Sequence, residues 1–147
     1  MTTLGHIVLY VKDLQRSTEF YTDIVGLTLL GKTFNGKAAV LSGGSTHHEL
    51  MLISVDNAPP PLQGKRLGLY HSGWKTGDDM ATLKNTYDTL IRKHYPVQGL
   101  SDHTISQSIY LQDPDGNEVE LYVDDPQYDW KENNQWMQAP VKPLDLG

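Results

Sequence analysis

His6, His71 and Glu120 are the residues whose types and placement could do the most chemistry. His6 opens a strand-like stretch, HIVLYV, in which Ile7, Leu9 and Val11 share one face by the period of two. That puts His6 on the other face with Val8 and Tyr10. Near the far end of the chain, Val119, Leu121 and Val123 form an aliphatic face, and Glu120 lies opposite, beside Glu118 and Tyr122. His71 sits in a third strand-like stretch, Leu67–Trp74. With helices over the aliphatic faces, the imidazoles and the carboxylate point into the concave side of a sheet, where polar groups need partners. Two His and one Glu on separate strands make a facial metal site with open positions. Such a site suits iron(II) in oxygen chemistry, and also manganese, nickel or zinc. A single strand histidine is more often a hydrogen-bonded or surface residue than a ligand, so the case rests on the three together.

The elements that must position these residues occur twice. After the first strand, Asp13 caps a helix from Leu14 to Val25, with Leu14, Thr18, Tyr21 and Val25 near helical spacing and Gly26 as its stop. Strand-like segments follow at Thr28–Thr33, Lys37–Leu41 and His48–Val55, giving the order β-α-β-β-β. The stretch NAPPPLQG is a stiff connection that cannot sit in a central strand. The second half then repeats the order. Leu67–Trp74 is its first strand, and Asp78 or Asp79 caps a helix to Lys93 with Met80, Leu83, Tyr87, Leu90 and Ile91 on its apolar face. Strands return around Val97, at Ser106–Leu111 and at Glu118–Val123, the last two joined by the turn signal DPDGN. The halves also share a closing motif, E-L-M-L from Glu49 and E-L-Y-V from Glu120, and this internal repeat treats His6 and His71 as equivalent.

Composition narrows the class. The chain has 147 residues, 18 Asp and Glu against 12 Lys and Arg, a net charge of −6 and no cysteine. One globular domain with one sizeable core is the expectation. The absence of cysteine excludes disulfides, zinc–thiolate sites, iron–sulfur clusters and thiol nucleophiles. The acidic balance without a Lys/Arg cluster argues against nucleic acid as a partner. No apolar run approaches a membrane span, and Met1–Thr3 leads straight into a strand, so neither a membrane partner nor a signal peptide is expected and a cytoplasmic location is.

Three stretches carry a family resemblance: HIVLYVKDLQRSTEFYTDIVGL from His6, DPDGNEVELY from Asp113, and the paired modules themselves. Across residues 5–123 the chain resembles the vicinal oxygen chelate superfamily, which includes glyoxalase I, bleomycin-resistance proteins, fosfomycin-resistance enzymes and type I extradiol ring-cleaving dioxygenases. The resemblance implies an α+β fold. Two βαβββ modules, at about 5–55 and 67–123, would pair into a curved, barrel-like mixed β-sheet with helices outside, joined by a linker at 56–66 and followed by a tail at 124–147, all one domain.

The extradiol enzymes are the most similar branch. Their metal is held by a His on the first strand, a His on the fifth and a Glu on the last, which implies His6, His71 and Glu120. Their H-H-x-L motif is matched from His47 and implies His48 as an acid–base residue, with His103 and Tyr110 as further catalytic residues; Tyr110 lies ten residues before Glu120. The resemblance also implies Fe(II), with Mn, Ni or Zn as other candidates, a small catechol-type aromatic and O2 as reactants, and a homo-oligomer. Its modules either pair within one chain or exchange across a dimer.

Plainer readings stand beside these. His47 and His48 follow a Gly-rich turn and read as solvated surface; Tyr110 reads as a core tyrosine; His103 reads as a turn residue; His94 reads as a favourable charge at a helix C-terminus. Glu49 is a rival carboxylate, being the repeat counterpart of Glu120. Other functions of the superfamily are a glyoxalase-like isomerase or lyase and a metal-free protein that binds aromatic drugs. A fosfomycin-type transferase fits less well, because Leu121–Trp130 contains no basic residue. In the tail, Tyr128, Trp130 and Trp136 suggest a strap across the surface, or else a segment that shapes the pocket entrance or a dimer contact, with at least one tryptophan buried.

Overall fold

The structure is a computed structural model that describes residues 1–147. The first half runs β1 (Ile7–Val11), α1 (Leu14–Asp23), β2 (Thr28–Thr33), β3 (Ala38–Ser42) and β4 (Leu50–Ser54). The second runs β5 (His71–Gly77), α2 (Met80–Arg92), β6 (Gly99–Asp102), β7 (Ser106–Gln112) and β8 (Glu118–Asp124), then a 3-10 turn at Gln135–Met137 and a short β9 (Lys142–Pro143). The β-α-β-β-β order is therefore present twice. The chain divides into two compact units, Met1–Gln63 with Asp113–Gly116, and Gly64–Gln112 with Asn117–Gly147. No helix is long and apolar enough to cross a membrane.

In the first unit the sheet order is β1-β4-β3-β2, with β1 and β4 parallel and the other pairs antiparallel. The register sets Ile7 beside Leu50, Leu9 beside Leu52, and Ala39 and Leu41 beside Leu52 and Leu50, which gives one continuous apolar face. Helix α1 closes that face with Phe20 and Tyr21, both buried. It starts where Asp13 accepts from Arg16 N at 3.0 Å and ends two residues before the expected Val25. Gly26, at φ +93°, then turns the chain so that Leu27 N donates to Tyr21 O. The DPDGN turn belongs to this unit: Tyr21 Oη donates to the buried Asp113 Oδ2 at 2.8 Å, and Lys12 N donates to Asp115 Oδ2 at 3.2 Å.

In the second unit the order is β5-β8-β7-β6-β9, with β5 and β8 parallel. Its core is Leu83 and Leu90 of α2 against Ile109, Leu111, Val119, Leu121 and Val123, all buried. Met80 and Ile91, expected on that face, are exposed.

The α+β class is as expected, with mixed sheets of four and five strands. Three expectations are corrected. The fifth strand begins at His71, not Leu67, because its partner β8 begins at Glu118, opposite His71; Leu67, Leu69 and Tyr70 precede the ladder and are exposed. The strand expected around Val97 forms at Gly99–Asp102, beyond Pro96. Neither tail tryptophan is fully buried, as Trp136 is half-buried and Trp130 exposed.

Candidate active site

Strand pairing in the second unit collects polar groups on the sheet face opposite the core. The β5–β8 register puts His71 beside Glu118 and Gly73 beside Glu120, and the β7–β8 register puts Tyr110 beside Glu120. Alternation along β8 sends Val119, Leu121 and Val123 toward α2 and leaves Glu118, Glu120 and Tyr122 on the other face. Gly73 allows the close approach, since a Cβ there would lie 3.2 Å from Glu120 Oε2.

The side chains form one connected network. His71 Nε2 lies 3.1 Å from Glu120 Oε2, and His71 Nδ1 lies 3.0 Å from Glu118 Oε2. The other Glu120 oxygen accepts from Ser108 Oγ at 2.6 Å and from Tyr110 Oη at 3.0 Å. His103 Nε2 is 2.6 Å from Tyr110 Oη. With the tyrosine proton on Glu120, His103 must carry its proton on Nε2 and donate. Burial pushes the Tyr110 hydroxyl well above its usual range, and the neighbouring Glu120 charge pushes it the same way. Tyr110 therefore keeps its proton near neutral pH and acts as a donor.

Each His71 ring nitrogen faces a carboxylate oxygen, Nδ1 that of Glu118 and Nε2 that of Glu120. With one ring proton, on Nδ1 and donated to Glu118, the Nε2 lone pair would face the Glu120 oxygen. Two electron-pair donors at that distance repel unless a proton or a cation reconciles them. The donor set, imidazole nitrogen and carboxylate oxygen, fits a divalent transition metal.

A cavity of about 370 Å³ opens beside this network. Its lining includes His71, His103, Tyr110 and Glu120 of the network and Trp136, Met137, Ala139 and Val141 of the tail.

The remaining expected residues lie in the first unit. His6 stands exposed just before β1, its ring centroid 4.5 Å from that of His48, and His47 packs at 4.5 Å on the far side of His48. Thr46 anchors His48, accepting from its N–H at 3.1 Å and donating to its carbonyl at 2.6 Å. Desolvation lowers the His48 pKa below the usual value, and the neighbouring His47 and His6 lower it further. Glu49 is committed elsewhere: its carboxylate accepts from Gly43 N at 2.6 Å, Ser45 N at 2.8 Å and Thr46 N at 2.9 Å. Burial alone would raise its pKa, but these backbone donors outweigh burial and hold it at about 2. Within neither unit do three His, Asp or Glu side chains form a metal-holding group.

Expected residues thus fall into two sets: His71, Glu120, His103 and Tyr110 in the second unit, His6 and His48 in the first. Sequence reasoning missed the partners Glu118 and Ser108; a tail that shapes the pocket entrance is its second reading, and tail residues do line the cavity. Alternation placed Glu118 on the face of Glu120, but only the β5–β8 register puts it against His71.

Two βαβββ units, each with imidazole and carboxylate groups near the sheet face opposite its helix, define a class that sequence comparison also finds. The chain belongs to the Glyoxalase/Bleomycin resistance protein/Dioxygenase superfamily, whose family model matches residues 3–121. It is 32% identical over 136 residues to catechol-2,3-dioxygenase of Bacillus subtilis (strain 168), covering 91% of this chain and 46% of that protein. It is 30% identical over 125 residues to biphenyl-2,3-diol 1,2-dioxygenase 3 of Rhodococcus globerulus, covering 82% of this chain and 63% of that one. The chain therefore spans between about half and under two thirds of the length of these relatives. Among solved structures, a glyoxalase/dioxygenase from Nostoc punctiforme has the same fold, with a TM-score of 0.72, 22% identity and coverage of 83% of this chain and 90% of that one. A lactoylglutathione lyase from Agrobacterium tumefaciens shares the fold at a TM-score of 0.60 and 24% identity, covering 84% and 94%.

Proposed function

We propose that the protein is a metal-dependent extradiol dioxygenase that opens a catechol-type ring with O2, and that His6, His71 and Glu120 hold the metal. The observation that carries this reading is His71, with one nitrogen on Glu118 and the other facing Glu120 at 3.1 Å. The dioxygenase names of the relatives support it. Bound there, Fe(II) would supply positive charge that acidifies the catechol hydroxyls and a redox-active centre that relays the catechol's own electrons to O2, while Mn, Ni or Zn would also supply the charge.

The chain's own groups have distinct work in this reading. Glu118 fixes the His71 tautomer and ring orientation. Ser108 and Tyr110 hold one Glu120 oxygen, leaving the other directed at His71. On substrate binding Tyr110, which keeps its proton, would turn that proton from Glu120, and His103 its own from Tyr110, toward negative charge developing on the substrate oxygens. His48, with its pKa lowered, is neutral near neutral pH and accepts a catechol proton at a ring nitrogen. The two units act as modules of one functional domain, working as a homo-oligomer in the cytoplasm.

The test is anaerobic reconstitution with Fe(II), followed by a panel of catechols and air. Yellow ring-cleavage product is expected. His48→Phe should retain iron and turn over slowly, while His71→Ala should not bind iron. Iron-loaded protein that cleaves no catechol overturns the reading, and hemithioacetal isomerisation by the same preparation would move it to the glyoxalase branch.

A further inference from the structure

Residues 125–147 show no regular period, yet the second unit ties them at three points. Asp125 N donates to Ile105 O at 2.8 Å, and within the stretch Tyr128 Oη accepts from Trp136 N at 2.9 Å. Lys142–Pro143 extends the sheet beside β6. Leu146 is 4% exposed, and its carbonyl accepts from Lys84 Nζ at 2.8 Å. Between the first two ties runs the turn Gln135–Met137, and this stretch supplies Trp136, Met137, Ala139 and Val141 to the cavity. With Ile105 they make up the apolar part of a lining whose polar part includes His71 and Glu120. Met137 and Val141 remain 66% and 60% exposed, so apolar surface is available to a ligand.

We propose that this strap is a specificity wall, which selects a ring bearing an uncharged apolar substituent and rejects one bearing a carboxylate. The inference rests on reading the cavity as the place of the catechol ring. A ring whose hydroxyls point at the polar part must set its far edge against Trp136 and its neighbours. Each CH2 buried there strengthens binding about fourfold. A carboxylate in the same position loses its water and meets no cation in the lining; Lys142, on the strap, faces Asp102 instead at 3.6 Å. A cavity of about 370 Å³ sits at the small end of ligand pockets, which suits one ring with a compact substituent.

Titration calorimetry on the Fe(II)-loaded protein without O2 tests this, with catechol, 3-methylcatechol, 4-ethylcatechol and 3,4-dihydroxyphenylacetate as probes. The better alkyl catechol should bind at least about tenfold tighter than the carboxylated probe. Trp136→Ala should cut that ratio to within about threefold of unity, Trp136→Phe should restore most of it, and Met137→Lys should shift it toward the carboxylated probe. Circular dichroism checks that each variant folds. Equal binding of both classes, a ratio unchanged in Trp136→Ala, or no binding of any probe overturns the proposal. Admitting O2 afterwards separates the two readings. An alkyl preference that depends on Trp136 without ring cleavage retains the wall and removes the dioxygenase, whereas cleavage without preference does the reverse.

Discussion

The two units follow the same βαβββ plan, and each has a glutamate at the same place in its E-L motif, yet the two carboxylates have opposite fates. Glu49 is saturated by the backbone N–H groups of its own turn, from Gly43 to Thr46. Glu120 receives side-chain hydroxyls from the neighbouring strand on one oxygen and presents the other to an imidazole. The histidines differ as well. Extending the β1–β4 register by one residue sets His6 opposite Glu49, whereas His71 pairs with Glu118, two residues before Glu120. The repeat thus places His6 and His71 on the same face but not at equivalent positions, because an offset of two preserves the face. A repeated motif fixes where a side chain sits along a strand; its neighbours decide whether its charge is already spent.

The largest expected effect follows directly from that contrast. Glu120→Ala should weaken metal binding by more than the roughly hundredfold that an outer partner is worth, and Glu49→Ala should leave it within about threefold. Metal titration of both variants checks this, and equal losses would break the contrast. Next comes Glu118→Gln, which should weaken metal binding about 10–100-fold by loosening His71. Nitrogen NMR of the His71 ring should show Nδ1 protonated in the parent and mixed tautomers in the variant. An unchanged ring spectrum would remove Glu118 from its positioning role.

The smallest effect belongs to Glu49 and concerns stability. Its folded pKa of about 2 lies below the ordinary value of 4.5, so its contribution is present above pH 4.5 and is lost as pH falls through 2. Glu49→Gln should be less stable than the parent at pH 7 by about 1 kcal/mol, allowing for solvent screening, or about 2–4 °C in Tm. The gap should narrow between pH 4.5 and pH 2 and close below it. Thermal melts across that range check the sign.

Most of the fold is legible along the chain because it rests on local signals. Asp13 and Asp79 cap the helices as expected, and β2 occupies Thr28–Thr33 as expected. The misplaced start of β5 has a different origin: Leu67 and Leu69 look like strand, but a strand needs a partner, and β8 offers none before Glu118. His71 and Glu120 are identifiable from residue type and alternation, His103 and Tyr110 only through the family resemblance, and the structure joins all four in one network. Ser108 and Glu118 carry no signal of their own, since a serine or glutamate in a strand is ordinary until the register sets it against an imidazole or a carboxylate.

Periodicity, capping residues and turn signals act over a few neighbouring residues, so the order of amino acids alone determines the doubled βαβββ plan and which face each histidine and glutamate takes. Interactions between distant stretches obey no such local rule. Only the folded chain decides that Glu49 is consumed by its own turn, that Glu118 steadies His71, and that an irregular tail supplies the apolar part of the cavity lining. Each of these depends on which strands pair and in what register, a choice made by packing the whole unit.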